Sequence, residues 1–442
     1  MQLYQGIKSK INNFTELKNA SWLIGEKIIV MLLTLVVNIF IARHLGVSNF
    51  GLLNYLLAIT SLFMPFFSLG FNAIVTRELV SKPANEIEII ATVITFRFIS
   101  GLLVLVFISV LVYFGYFNQL AYYYWALFLF IGVNVFSAFQ VLDFWFQAKL
   151  WSKYIVKARV IVLLFIGATK LFLVFLNADF SAFIWLSAIE FLCISLAYLI
   201  TYLFCSGRFS FSQVNFLYGF NLLSQSKWLI FSGIAAVVYL KIDQLMLAEM
   251  VSTTEVGKYA VASRMSEVWY FFPIAIVSSY FPSLIKTKTV NLRFYQTKLQ
   301  QLCDVLFVGA LFLALLTSFY AGNIINLLFG YQYRGAEDIL ALHIWAGVFV
   351  FMRALLSKWL LAEHLVKFSL LTHGIGAFVN VVLNYYLIPQ YHGVGAAMAT
   401  VVSYAFASYF VLFFHKSTRP MAMLMTRSIL FPIRVLLPNE RN

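Results

Sequence analysis

Residues 228–250 read WLIFSGIAAVVYLKIDQLMLAEM, and residues 261–282 read VASRMSEVWYFFPIAIVSSYFP. A polar turn, STTEVGKY at 252–259, lies between them. Each apolar run matches the ~20 residues that a helix needs to cross a bilayer. Each also carries charge at depth: Lys241 and Asp243 in the first, Arg264 and Glu267 in the second. Charge near the bilayer centre costs at least about 2.5 kcal/mol per group in insertion assays, so such residues face protein or a water-filled cavity. The stretch from Lys227 to Pro282 therefore predicts two membrane helices that line a path.

The rest of the composition agrees. The 442 residues are 62% hydrophobic and 11% charged, whereas an ordinary soluble domain is about 25% charged. This excludes a soluble enzyme and indicates a polytopic membrane protein. The net charge of +14 is explained by basic cytoplasmic connections and needs no nucleic acid. Cys193, Cys205 and Cys303 lack ligand-type spacing and read as small packing residues. The first apolar run begins near Ser21 and is too long for a signal h-region, so it is expected to stay as an anchor. Before it, Leu3, Ile7, Ile11, Phe14 and Leu17 share one helical face. Residues 1–20 are thus predicted to form a helix on the inner membrane surface.

Twelve apolar runs of membrane length are present, at 21–42, 50–73, 89–114, 122–146, 156–176, 181–205, 228–250, 259–282, 300–320, 338–361, 366–388 and 393–415. With the N-terminus in the cytoplasm, the inside segments hold nearly all loop Lys and Arg, and the outside segments hold only Arg43, Lys258 and Arg334. The bias predicts both termini inside. The chain also repeats at an offset of 206: Trp22-Leu23-Ile24 matches Trp228-Leu229-Ile230, Ala42 matches Ala248, and Gly51 matches Gly257. Six runs in each half give halves of the same orientation. The expected organisation is two six-helix lobes, 21–205 and 228–415, a cytoplasmic linker at 206–227 and a basic cytoplasmic tail at 416–442.

Polar stripes mark helix faces. Lys27, Thr34 and Asn38 share one, as do Gln140, Asp143 and Gln147, and His373, Asn380 and Asn384. Arg159 and Lys170 are eleven residues apart, about 16 Å along one face. Polar groups of this kind often glue helices together or snorkel to headgroups. The basic residues deepest in their runs, Arg97, Lys170, Lys241, Arg264 and Arg353, are the candidates for a cavity role. Asp243, Glu267 and Asp143 are candidates for pairing those charges or for ion coupling. Glu26, Lys27, Arg159, Glu249 and Lys358 lie nearer run ends, where snorkelling competes. Pro65 and Pro273, one in each second helix, are either hinges or static kinks. The cluster Gly393, Gly395, Ala396, Ala397 and Ala399 suits close helix packing. No nucleotide-binding loop, metal-ligand cluster or catalytic motif is present, so neither enzyme chemistry nor a cofactor is expected.

Residues 41–79 carry Leu45-Gly46 and Phe50-Gly51, then Leu69-Gly70, then Thr76-Arg77-Glu78. The second half carries DQLMLAEM, VGKYAVASRMSEVWYFFP, FPSL and GVGAAMAT. Together these resemble bacterial polysaccharide flippases of the Wzx type, over most of the chain. The VGxYxxAxR pattern, with Arg264 as its arginine, is also similar to that of the lipid II flippase and other relatives of the MATE drug exporters.

The resemblance implies a MATE-like, V-shaped pair of six-helix lobes around a central cavity in a bacterial inner membrane. It implies a substrate of undecaprenyl-pyrophosphate bearing an oligosaccharide such as an O-antigen unit, moved from the cytoplasmic to the periplasmic leaflet. Membrane lipids, a polysaccharide polymerase and a chain-length regulator are the implied partners, and the family allows H+ or Na+ as coupling ion. Cationic side chains would meet the pyrophosphate. Two other readings compete: a MATE-type exporter, whose site for organic cations would be acidic and aromatic, and a membrane polymerase, which would need a long outside loop.

Overall fold

The computed structural model describes the backbone of residues 2–206, 210–365, 367–431 and 434, with side chains from Trp22 onward apart from 23, 24, 73, 118, 282 and 289. Arg208, within the expected linker, and the expected tail from 435 onward lie outside the described residues, as does the amphipathic face of residues 3–17. No strand occurs among the described residues. A bilayer interior offers no water to backbone groups, so the chain satisfies them within helices.

The first three helices are α1 (Gln2–Ser68), α2 (Asn72–Ser81) and α3 (Glu86–Tyr113). Then come α4 (Tyr124–Val135), α5 (Leu142–Ala148), α6 (Ser152–Phe175), α7 (Phe180–Ser206) and α8 (Phe216–Met250). The second half holds α9 (Thr253–Glu267), α10 (Phe271–Val290), α11 (Leu292–Phe329), α12 (Ala336–His343), α13 (Ala346–Ala362), α14 (Lys367–Ser408) and α15 (Arg419–Ile429). Among the described residues, nine helical stretches are long and apolar enough to cross a membrane. Two of the nine contain a backbone corner. In α1 it is Gly46 (φ 73°, ψ 174°), in the first Leu-Gly pair. In α14 it is His392 (φ 51°, ψ −129°), a non-glycine residue held at positive φ. Each corner separates two apolar runs. The run at 259–282 falls across α9 and α10, which a 3-10 turn at Val268–Tyr270 separates. All twelve runs are therefore helical.

Prolines and glycines account for several of the interruptions, though not for the corner at His392. Pro273 is the third residue of α10, just past the 3-10 turn, where its missing N–H removes a bond back to that turn. Pro65 lies inside α1. It faces Gly233, at which an added Cβ would come 3.3 Å from the proline ring. The second Leu-Gly pair ends α1, with Leu69 at φ 51° and Gly70 at φ 61°.

The chain divides into two compact units, residues 1–45 with 56–237, and residues 46–55 with 238–442. The first unit is centred on Phe71, Val93, Leu142, Phe146, Ile155 and Tyr202. Cys303, Leu306, Ala314, Met352, Leu412 and Met425 centre the second. Large apolar side chains also face outward, among them Phe204 at 88% and Phe319 at 81% exposure, as a lipid-facing surface requires.

Small residues set the closest approaches in the second unit. An added Cβ at Gly51 would lie 1.8 Å from the Thr253 carbonyl oxygen, and one at Gly257 would lie 2.1 Å from that of Val47. Helix backbones touch there with no room for a side chain. Around the α14 corner, Ala396, Ala397 and Ala399 are fully buried. An added Cβ at Gly395 would come 2.4 Å from the Leu387 carbonyl oxygen.

Candidate functional site

In the first unit, the end of α1 creates the site. Where the chain turns at Leu69 and Gly70, Phe66 O accepts from Leu69 N–H at 3.3 Å and Ser68 O from Phe71 N–H at 3.2 Å, and side chains take up the remaining capacity of these last carbonyls. Ser100 Oγ donates to Phe66 O at 2.8 Å. Arg97, on α3 and only 5% exposed, donates from Nε to Ser68 O at 3.1 Å and from Nη2 to Asn72 Oδ1 at 3.1 Å. No carboxylate answers its charge. Beside it, Arg159 on α6 bonds Glu26 on α1 and donates to Asp143 Oδ2 on α5 at 3.1 Å. Its guanidinium lies 5.0 Å from the Tyr198 ring centre.

These groups surround a cavity of about 150 Å³ whose lining includes Ser68, Asn72, Arg97, Gln140, Asp143 and Arg159. That is room for several waters or one small polar group. Asp143 Oδ1 is buried there without a hydrogen bond. Full ionisation leaves two guanidiniums facing two carboxylates. The charges cancel in sum, but both acids sit on Arg159, so among the described residues Arg97 is bonded only to neutral groups. Lys170 has a separate partner, since its Nζ reaches Glu190 Oε2 on α7 at 2.5 Å.

The second unit holds a buried acid. Asp243 on α8 is 3% exposed. It accepts from Tyr259 Oη at 2.6 Å, Thr400 Oγ1 at 2.8 Å and Asn384 Nδ2 at 2.5 Å. Asn384 also donates to Asn380 at 3.1 Å. His343, 3% exposed, packs edge-on against the Tyr259 ring at 5.7 Å. Every donor to Asp243 is neutral. A carboxylate so placed keeps the capacity to take a cation or a proton. Lys241, two residues away on α8, points elsewhere; it is half-buried and forms no ion pair among the described residues.

Arg264 on α9 donates from Nη2 to Asn54 Oδ1 at 3.2 Å. Glu267, one turn on, is exposed and forms no ion pair among the described residues. Arg353 on α13 is 9% exposed and donates to Ala407 O at 2.8 Å and Thr372 Oγ1 at 3.2 Å. Glu249 accepts from Tyr55. Of the predicted residues, then, Arg97 and Asp143 share a cavity, Asp243 and Arg353 both lie within electrostatic reach of the packed Tyr239 and Tyr404 rings, and Lys170, Lys241 and Arg264 share no bonding partner with any of them among the described residues. Sequence reasoning passed over Glu26 and Arg159 as residues near run ends, and passed over Tyr259 and Thr400 altogether. The three-turn spacing of Arg159 and Lys170 was the available signal for the first pair. For Tyr259, the signal was its place in VGxYxxAxR.

Outside the membrane runs, the Thr76-Arg77-Glu78 motif packs on the first turns of α8, where Arg77 donates to Gln225 Oε1 at 2.6 Å. Glu78 takes bonds from Lys82 Nζ at 2.9 Å, Tyr218 Oη at 2.9 Å and Arg77 Nη2 at 2.9 Å. These donors, Lys82 foremost, hold its carboxyl down to about 2 despite burial. No group of three or more His, Cys, Asp or Glu able to hold a metal occurs among the described residues.

Residues 17–288 match the family described as polysaccharide biosynthesis protein. A curated relative, the probable low-salt glycan biosynthesis flippase Agl15 of Haloferax volcanii, is 22% identical over 189 residues. That match covers 42% of this chain and 39% of the relative, so the chain spans well under half of the relative's length. Among solved structures, an inward-closed lipid II flippase MurJ aligns with a TM-score of 0.65 at 15% identity, covering 94% of this chain and 92% of that one. An inward-facing multidrug resistance MATE family transporter of the MOP superfamily aligns with a TM-score of 0.68 at 12% identity, covering 90% and 96%. Both likenesses concern the fold. With its membrane-spanning helices and a family match over more than half of its length, the chain belongs to the polysaccharide biosynthesis protein family and has the twelve-helix fold of the MOP superfamily.

Proposed function

We propose that this protein is a flippase for a lipid-linked oligosaccharide. It carries undecaprenyl-pyrophosphate bearing an O-antigen or similar surface-polysaccharide unit from the cytoplasmic to the periplasmic leaflet by alternating access. The observation that carries the reading is Arg97: a buried guanidinium with no carboxylate of its own, at the edge of a polar cavity. A phosphate or an acidic sugar supplies the missing charge-assisted bonds. Arg264 and Arg353, each bonded only to neutral groups, and the unpaired Lys241 are the other cationic contacts. Lys170 joins them when it leaves Glu190.

Asp243 is the ion-coupling carboxylate on this reading, because its partners are all neutral donors. An H+ or Na+ bound there shifts the transport equilibrium by preferring one state. Asp143 pairs Arg159, and Glu267 is an exposed acid within electrostatic reach of Arg264. Pro65 and Pro273 are the hinge candidates. The protein lies in a bacterial inner membrane with both termini cytoplasmic. It hands its cargo to a polysaccharide polymerase governed by a chain-length regulator.

The test is surface polysaccharide in a deletion strain complemented with Arg97→Gln or Arg264→Ala. Loss of polysaccharide with normal membrane levels of the protein is expected. Wild-type polysaccharide from both variants would sink the site assignment. Asp243 also favours a second reading, an exporter of organic cations on the same fold. Drug sensitivity of the deletion strain with intact surface glycan would select it.

A further inference from the structure

A groove of about 940 Å³ lies in the second unit between the first turns of α11 and α15. Its volume falls in the range of small-molecule sites, ~300–1,000 Å³. Leu292, Leu299, Trp359, Leu365, Met423 and Leu424 supply apolar wall. Arg293 and Arg427 stand among them, both exposed and neither with a side-chain hydrogen bond or ion pair among the described residues. The groove's one acid, Glu363, is already neutralised by Lys288 Nζ at 2.9 Å and accepts from Tyr295 Oη at 3.2 Å. The groove thus carries net positive charge over an apolar floor.

The two flanking helices are shaped for a membrane surface. α15 buries Met421, Ala422, Met425 and Ser428. Its outer stripe is Met423, Arg427 and Leu430, and the two apolar members are 57% and 48% exposed. Apolar side chains that flank an arginine on an exposed face suit the headgroup boundary, where the stem lies in hydrocarbon and the charge reaches phosphate. α11 begins with Leu292 and Phe294, 59% and 52% exposed, on either side of Arg293. Its N-cap Asn291 takes the Phe294 N–H at 3.0 Å, leaving the first N–H groups and the positive end of a 38-residue helix in the groove wall.

We propose that this groove is a binding site for an anionic phospholipid, with the phosphate between Arg293 and Arg427 and an acyl chain along Trp359 and Leu424. Basic pockets between membrane helices recognise acidic lipid headgroups in this way. The inference rests on the membrane-spanning fold and is independent of the cargo. The lipid ties α15 to α11, so anionic lipid content tunes the stability of this end of the second unit.

The test uses the full-length protein in detergent micelles, titrated with phosphatidylglycerol or phosphatidylcholine, with bound lipid counted by native mass spectrometry. Phosphatidylglycerol should bind the wild type more tightly than phosphatidylcholine. Each arginine contributes roughly fivefold, so R293Q/R427Q should weaken phosphatidylglycerol about 25-fold and leave phosphatidylcholine unchanged. R293K/R427K should retain it, and R334Q, in an outside connection, should be silent; these two variants keep the test valid if the double glutamine variant misfolds. Equal phosphatidylglycerol binding by wild type and R293Q/R427Q overturns the proposal. Displacement of the lipid by millimolar glycerol 1-phosphate or inorganic phosphate also overturns it, because the site would then belong to a soluble phosphate.

Discussion

Replacing Gly257 by alanine should weaken the second unit by about 2 kcal/mol. The added Cβ would sit 2.1 Å from the Val47 carbonyl oxygen. Ordinary contacts begin beyond ~3 Å, so the two segments must part by roughly 1 Å. Neither can yield by a rotamer change, because the obstruction is backbone on backbone. Overpacking of this kind typically costs about 1–3 kcal/mol, and the absence of a soft neighbour puts Gly257 at the upper end. Alanine returns about 0.5–1 kcal/mol through its better helix propensity, which leaves the net loss stated. Gly309 and Gly322, inside α11, have nothing within 4 Å of an added Cβ. The same substitution there should be neutral or stabilising by up to about 1 kcal/mol. The assay is thermal unfolding of the purified protein in detergent, followed by tryptophan fluorescence, with all three variants side by side. A midpoint for Gly257→Ala at or above that of wild type would refute the close-contact argument.

Further outcomes follow from other sites. Asp243→Asn keeps the shape while removing the charge; its donors can reorient, and hydrogen bonds in membranes average only about 0.6 kcal/mol. On the proposed coupling role, transport read as surface polysaccharide should be lost, and the small hydrogen-bond cost should leave the unfolding midpoint close to wild type. Lys170→Met strands Glu190 and should cost about 1.5–3 kcal/mol; in the swapped pair K170E/E190K much of that loss should return, and a swap no more stable than the single variant would show that the pair does not couple α6 to α7. Glu78, held near 2 rather than its usual 4.5, contributes stability that is complete above pH 4.5 and lost as pH falls towards 2. Glu78→Gln should flatten the acid limb of a pH–stability curve between those values, and an unchanged limb would remove the role of Lys82, Tyr218 and Arg77.

Apolar length made the twelve helices legible, because a bilayer imposes one requirement on every crossing. The Gly46 corner was legible in the Leu-Gly pair. The one at His392 was not, since nothing about histidine announces positive φ. Charge partners were the least legible part. Spacing states which residues share a face of one helix, and says nothing of what stands opposite. Lys241 and Asp243, two apart in sequence, go different ways. Arg264 and Glu267, one turn apart, do not pair, and Arg264 finds Asn54 instead. Arg159, near a run end, gathers two acids from two other helices. The Asn380 and Asn384 stripe was visible, but its object, Asp243, lies some 140 residues earlier.

The glycine contact has a meaning beyond packing. Val47 and Thr253 stand at the same 206-residue offset as Gly51 and Gly257. Gly51 against Thr253 and Gly257 against Val47 are thus one contact made twice, with the partners exchanged. That reciprocity is the mark of an isologous interface between identical subunits. A single substitution at either glycine therefore breaks one of the two copies and leaves the other intact, whereas the paired change at Gly51 and Gly257 removes both.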